Sequence, residues 1–374
     1  MKLNYKKMFA LVLTLMFTFA LVGCGGGEKP QAQDQQKDAA NEEKLKVAFI
    51  YVGPVGDGGY SYAHDLGRQY LEKEIPNLET TIIESVPEGA DSERVLTELA
   101  ERGNKVIFAT SFGYMDSVIK VAQKYPDIKF LHCSGYKTAE NVGTYFGRMY
   151  QSRYLTGIVA GKTTESNVIG YVAAFPIPEV IRGINAFTMG VRSVNPDAKV
   201  KVVWTNTWYD PAAEKEAGKS LLEAGADVVA QHQDTPGPMQ AAEEKGKFGI
   251  GYNSDMGKMA PKAVLTSAVW NWGPYYVDTI KAIQDGTWKS NEYWGPMSDN
   301  VVGLAPYGPM VSEDIKQLVE TKKQELIEGK FDVFNGPVKD QTGKERIAAG
   351  QTMSDADMLS IDWFVEGVDG TIPK

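Results

Sequence analysis

Cysteine and histidine are nearly missing from this chain: its 374 residues hold two cysteines and three histidines. Cys24 falls near the start. Cys133 then has no partner for a disulfide in the body of the chain and cannot belong to a four-cysteine metal site. Burial as a small apolar residue accounts for it. His64, His132 and His232 stand far apart and show no H-x-x-x-H or His/Cys spacing, which leaves a catalytic metal without ligands. No metal and no cofactor are expected. His132 and His232 each follow an expected strand, so one of them lines a cleft or both are satisfied structural residues.

Positive charge is also short. The formal charge is −9, and residues 1–23 carry three lysines and no acid, so without them it becomes −12. A chain so acidic is not built to neutralise phosphates, which excludes nucleic acid as a partner. Long apolar runs are missing too, with one exception. Behind Lys2, Lys6 and Lys7, the stretch Met8 to Val22 has no charge. It falls short of the roughly 20 residues that span a bilayer and ends in Leu21-Val22-Gly23-Cys24. Residues 1–23 therefore read as a signal peptide. The closing tetrapeptide is similar to a bacterial lipobox, which implies lipidation of Cys24 and attachment to the outer face of the cell membrane. Gly25-Gly26-Gly27 and the polar residues up to Lys44 read as a flexible tether, 24–44.

What is present is an alternating pattern. About 330 residues follow the tether, more than one core usually holds. Short β-branched runs alternate with longer amphipathic ones, the signature of a parallel sheet with helices on both faces. Strands are expected at 47–52, 81–85, 105–110, 129–132 and 142–146, then at 168–173, 200–204, 228–231, 248–252 and 264–269. Helices fall between them. The order of elements repeats, so the expectation is an α/β chain of two doubly wound parallel-sheet lobes joined by a hinge of several crossings. Lobe one takes 45–147 plus about 270–298, and lobe two takes 148–269 plus about 299–374, including a C-terminal appendage. Within that appendage Ser312 to Lys330 reads as a charged helix, Phe331 to Pro337 opens a hairpin, and Met358 to Val368 is apolar enough to dock. A monomer is the default.

In open α/β sheets a ligand sits beyond the carboxyl ends of the strands. The segments there mix glycines, aromatic rings, amides and carboxylates: Gly53 to Tyr62, Ser111-Phe112-Gly113-Tyr114, Phe175-Pro176, Asn206-Thr207-Trp208, Gln233-Asp234, Asn253-Ser254-Asp255 and Trp270. Glycine admits close backbone approach, rings offer stacking faces worth roughly 1–3 kcal/mol per base, and carboxylates read donor edges. Tyr60, Phe112, Gly113, Phe175, Asn206, Trp208, Asp234, Asp255 and Trp270 are the candidate ligand-binding residues for a flat, polar-edged small molecule. Asp57 is assigned to capping and Asp255 to ligand contact.

Enzyme motifs fail one by one. Ala109-Thr110-Ser111-Phe112-Gly113 has alanine where a nucleophile elbow needs its first glycine, so Ser111 reads as a cleft-facing hydroxyl. Gly161-Lys162-Thr163 lacks the earlier glycine of a phosphate loop and follows a helix. The Gly53 to Gly59 loop lacks the G-x-G-x-x-G spacing, and its Asp57 would repel a pyrophosphate. No catalytic residues are assigned.

Several motifs occur together: the Gly-rich first loop, Phe146-Gly147-Arg148, Gly225 to Val229, Gly251 to Asp255, Leu265 to Ala268, and Trp363 to Gly367. From Lys46 to Pro373 the chain resembles the BMP family of basic membrane lipoproteins, the purine nucleoside receptor type. The resemblance implies a periplasmic-binding-protein fold, an ABC permease as membrane partner and a purine-type heterocycle as ligand. It assigns stacking to Tyr60 and a ligand carboxylate to Asp255. Ser61 and Trp270 depart from the nucleoside-binding pattern, which shows asparagine and lysine there. That turns the expectation toward a free nucleobase such as adenine. A nucleoside receptor, a surface sensor serving a membrane kinase and, weakest, a secreted nucleoside hydrolase are the alternatives.

Overall fold

The computed structural model describes residues 44–373. The expected signal peptide, Cys24 and the tether up to residue 43 lie outside the described residues.

The first half runs β1 (Leu45–Ile50), α1 (Tyr60–Glu74), β2 (Leu78–Ile83), α2 (Ala90–Glu101), β3 (Val106–Ala109), α3 (Met115–Ala122), β4 (Lys129–Cys133) and β5 (Val142–Gly147). Its sheet has the order β2-β1-β3-β4-β5, all parallel. Val106 to Ala109 are buried throughout, as expected of strands covered by helices on both faces.

The second half repeats the plan. It runs α4 (Met149–Thr163), β6 (Val168–Ala173), α5 (Pro178–Val194), β7 (Lys199–Trp204), α6 (Pro211–Glu223), β8 (Val228–His232), α7 (Gly237–Glu244), β9 (Phe248–Asn253) and β10 (Val264–Trp270), with the parallel order β7-β6-β8-β9-β10. The chain then returns through α8 (Trp272–Gln284), which packs on α1, to β11 (Glu292–Gly295) beside β5. It crosses again to β12 (Val302–Leu304), antiparallel to β10. The three crossings run together, since a β-carbon on Gly147 would stand 2.5 Å from Val302 Cγ1 and 2.8 Å from Trp270 Cζ3.

The appendage holds α9 (Glu313–Ile327), a hairpin of β13 (Val338–Lys339) and β14 (Glu345–Ile347), α10 (Asp355–Leu359) and β15 (Val368–Asp369). β15 adds to the second sheet beside β7, and Phe364 is buried with its ring 6.3 Å from that of Trp204.

The structure differs from the sequence expectation at β2, which starts at Leu78 where residue 81 is expected. This edge strand is buried fully only at Leu78, and exposed Glu79 interrupts its apolar pattern. Strands β11, β12 and β15 are two to four residues long and carry no readable period.

Helices α4 and α5 approach at glycines. A β-carbon on Gly157 would stand 2.1 Å from the Phe187 carbonyl oxygen, and one on Gly190 would stand 2.0 Å from that of Tyr154. Helix propensity alone predicts a gain of about 1 kcal/mol for glycine to alanine. Here overpacking decides the sign: Gly190→Ala is expected to lower stability by about 2 kcal/mol, as measured by denaturant unfolding.

Candidate functional site

Both sheets reverse direction at their first strand. β2 lies on one side of β1 and β3 on the other, and β7 and β8 flank β6 in the same way. Loops leaving the two central strands diverge and open a crevice at the carboxyl ends. In this molecule the two crevices open on one shared cavity. Val52, Tyr60, Ser111, Phe112 and Ser134 line it from the first half; Glu179, Trp208, His232, Asp234 and Tyr252 line it from the second.

Each side chain is fixed by its own loop. Tyr60 opens α1 and its hydroxyl donates to the Thr110 carbonyl at 2.5 Å, holding the ring at the cavity wall. The preceding turn is held by Asp57, whose carboxylate accepts from the backbone N–H groups of Gly59, Ser61 and Tyr62 at 2.8–3.0 Å. Ser61 Oγ accepts from Gly53 N–H at 3.1 Å, so the serine in place of asparagine is spent on the loop itself. On the far side Asp210 caps α6 through the N–H groups of Ala212 and Ala213, with Pro211 in the first turn. This closes the loop that carries Trp208. Phe175 packs edge-on behind Trp208, ring centres 5.1 Å apart.

Tyr60, Phe112, Trp208 and Asp234 thus come together from the expected set, with Phe175 one layer behind. The other four do not line the cavity. Gly113 donates its N–H to Glu88 at 3.1 Å. Asn206 is an exposed turn residue with φ of 55°. Asp255 is exposed and accepts from Gly257 N–H at 2.9 Å, holding a short turn. Trp270 is buried and stacked on Trp272 at 4.6 Å. Its indole N–H donates to Asn253 Oδ1 at 2.8 Å, and Asn253 Nδ2 donates to Asp234 Oδ1 at 3.2 Å. Trp270 therefore acts on the cavity through Asp234, not as a wall against a sugar.

Glu179, Ser134 and Tyr252 also line the cavity; Ser134 lies in Cys133-Ser134-Gly135-Tyr136 after the fourth expected strand, while Glu179 and Tyr252 are not among the expected residues. Glu179 sits in the first turn of α5, just past the Phe175-Pro176 segment that was singled out, so reading one turn further would have found it. His232 is the histidine that reaches the cavity; His132 hydrogen-bonds the Ser111 carbonyl at 2.8 Å and supports the loop. Ser111 faces the cavity as a hydroxyl. Among the described residues no cluster of metal-ligating side chains occurs.

The electrostatics are acidic. His232 Nε2 lies 3.2 Å from Glu179 Oε1, and a carboxylate accepts only, so the proton is on Nε2. Burial pulls the imidazole down, while His232 and the arginines Arg182 and Arg153 outweigh burial at Glu179 and hold its carboxyl below the usual range. Asp234 behaves oppositely: burial, then the charges of Asp57, Glu214 and Glu179, push it well up. Burial raises Asp57 to about 6 and Glu214 to about 7 against their hydrogen bonds. The site thus sets one carboxyl held on the acidic side, Glu179, beside one held to its proton more tightly, Asp234.

The two halves touch here. Ser254 Oγ donates to the Gly58 carbonyl at 2.5 Å, and a β-carbon on Gly59 would stand 2.3 Å from the Asp234 carbonyl oxygen.

An acid whose folded pKa is raised keeps its proton where the unfolded chain has lost it, so stability falls as pH rises from the ordinary carboxylate range through the folded pKa. Stability of the ligand-free protein is therefore expected to fall between pH 4 and pH 7 through Asp57, Asp234 and Glu214. Asp234→Asn removes one of these raised carboxyls, so the difference between pH 5 and pH 8 in thermal unfolding shrinks. An undiminished difference would refute a raised Asp234.

Residues 44–331 match the family model Bmp, described as ABC transporter substrate-binding protein PnrA-like. The chain is 46% identical over 334 residues to the purine-binding protein BAB2_0673 of Brucella abortus, covering 89% of this chain and 95% of that one. It is 42% identical over 332 residues to the putative ABC transporter glucose-binding protein TsgA13 of Haloferax volcanii, covering 89% and 82%. Among solved structures, an ABC transporter solute-binding protein from Aeropyrum pernix matches with a TM-score of 0.68 at 21% identity, covering 81% of this chain and 94% of that one. Another, from Conexibacter woesei, matches with a TM-score of 0.63 at 23% identity, covering 77% and 98%. These two share the periplasmic-binding-protein type of fold seen here. The chain belongs to the Bmp family of PnrA-like ABC transporter substrate-binding proteins.

Proposed function

We propose that this protein captures a free purine base, adenine above the others, between its two halves and delivers it to a membrane permease. One observation carries the reading: a small cavity combines aromatic rings from both halves with two carboxyl groups, Glu179 and Asp234, of opposite protonation tendency. Tyr60, Phe112, Trp208 and Tyr252 offer faces for a flat ring. The carboxyl groups offer acceptors for two donor edges. A free purine has a ring N–H and, in adenine, an exocyclic amine; attaching a sugar at the ring nitrogen removes the first donor. Two acidic groups also repel a phosphate, which sets nucleotides aside.

The lobes are residues 45–147 with about 270–298, and 148–269 with the remainder. They close about the three crossings in a hinge motion, and ligand donation to Asp234 favours the closed form. The protein performs no covalent chemistry. Lipidation at Cys24 keeps it on the outer face of the membrane. The purine-binding relative supports the ligand class. The relative named as glucose-binding supports a second reading, because hexoses also stack on indole and bind carboxylates, so the test includes glucose.

Protein freed of ligand by unfolding and refolding is titrated by calorimetry with adenine, adenosine and glucose. Adenine is expected to bind and adenosine at least tenfold more weakly. Equal binding of adenosine would retain the receptor and overturn the preference for the base; binding of glucose alone would overturn the purine reading. Trp208→Ala is expected to weaken adenine about 5- to 150-fold, the loss of about 1–3 kcal/mol of stacking.

A further inference from the structure

Behind Tyr252 lies a second, smaller cavity, with room for one guest about the size of a water molecule, that meets the ligand cavity at Glu179 and His232. Arg153, on α4, reaches it with no exposed surface. One of its nitrogens, Nη1, donates to the Gln231 carbonyl at 2.8 Å, but Nε and Nη2 have no partner in the protein. The Tyr171 hydroxyl and His232 Nδ1 are unpartnered as well. These two flank the same wall, since a β-carbon on Gly183 would stand 3.7 Å from the hydroxyl and 3.4 Å from the nitrogen. Buried polar atoms are seldom left so; Arg153 and His232 border this chamber, and the Tyr171 hydroxyl stands beside Gly183 on its wall.

Charge decides what fills it. Arg153 and Arg182 are both buried and both border the chamber, while Glu179 is the one carboxylate on its wall. Arg148 is matched outside by Asp355 at 2.6 Å. His232 is held neutral by burial. One interior positive charge is therefore left over, and an uncompensated interior charge is strongly unfavourable. Stacking of the Arg153 guanidinium on Tyr252, 3.6 Å from the ring centre, offsets part of it. Water would satisfy the hydrogen bonds and leave the charge.

We infer that this chamber binds a small monovalent inorganic anion of the halide class, held by Arg153 Nε and Nη2 and the Tyr171 hydroxyl. The anion fixes the guanidinium beneath Tyr252 and so sets the position of one wall of the ligand cavity. The inference stands whether or not the ligand is a purine.

The probe is chloride against gluconate, which is too large for the chamber, at constant ionic strength and without ligand. At a hundredfold excess over the dissociation constant, chloride is expected to raise the melting temperature by about 4 °C. Arg153→Met should lose that dependence. Crystals of the wild-type protein grown in bromide are expected to show an anomalous peak within hydrogen-bond distance of Arg153. A melting temperature indifferent to the anion together with no such peak means that the chamber holds water only, and a bromide peak confined to other places would equally overturn the proposal. If Arg153→Met does not fold, the bromide crystal alone decides.

Discussion

Parallel strands cannot be joined by tight turns, and this constraint shapes the rest of the molecule. Most strands return through a helix, so most loops that leave a carboxyl end are free of pairing duties and able to carry a ring or a carboxyl group. Placing β1 and β6 in the middle of their sheets makes the neighbouring loops diverge, and the divergence is where Val52, Ser111, Trp208 and Asp234 meet. The glycines of α4 and α5 serve the same end at a distance. They let two helices touch at backbone separation and bring Arg153 under the cavity floor.

Within the cavity, hydrogen bonds run in a chain more than in a ring. Trp270 orients Asn253, Asn253 orients Asp234, and Asp234 waits for a donor. Glu179 is fixed from the opposite side by His232. Two acids in one small space would ordinarily repel, and the molecule separates their roles by surroundings. Arginines and an imidazole surround one; carboxylates surround the other. The same contrast of environments makes a neutral, donor-rich ligand a better guest than an anion.

The alternation of β-branched and amphipathic segments is strong because the central strands are buried on both faces, so most of the strands and the repeated plan were legible in the sequence. β2, β11, β12 and β15 were shifted or missed because edge or very short strands obey tertiary pairing more than pattern. The site was half legible. Rings directly after strands, such as Phe112 and Trp208, could be found by position alone. Asp255 and Asn206 carry the right chemistry in the right segments, but backbone needs nearby claim them, and a sequence does not say whether a carboxylate faces a ligand or its own turn. Glu179 and Tyr252 escaped because one begins a helix and the other ends a strand, places where a charge or a phenol reads as capping or core. Trp270 was chosen for a reason the structure replaces, since its indole acts two hydrogen bonds away from the cavity.

The three crossings have a mechanical meaning. Gly147, Trp270 and Val302 lie against one another, so the connections form a narrow band instead of a scattered set. A band of this kind behaves as a leaf flexure: it bends softly about the line joining its members, whereas torsion or shear must stretch at least one of them. Relative motion of the two sheets then approaches a single degree of freedom. In the closure proposed above, the space between the strand ends would then be a function of one angle.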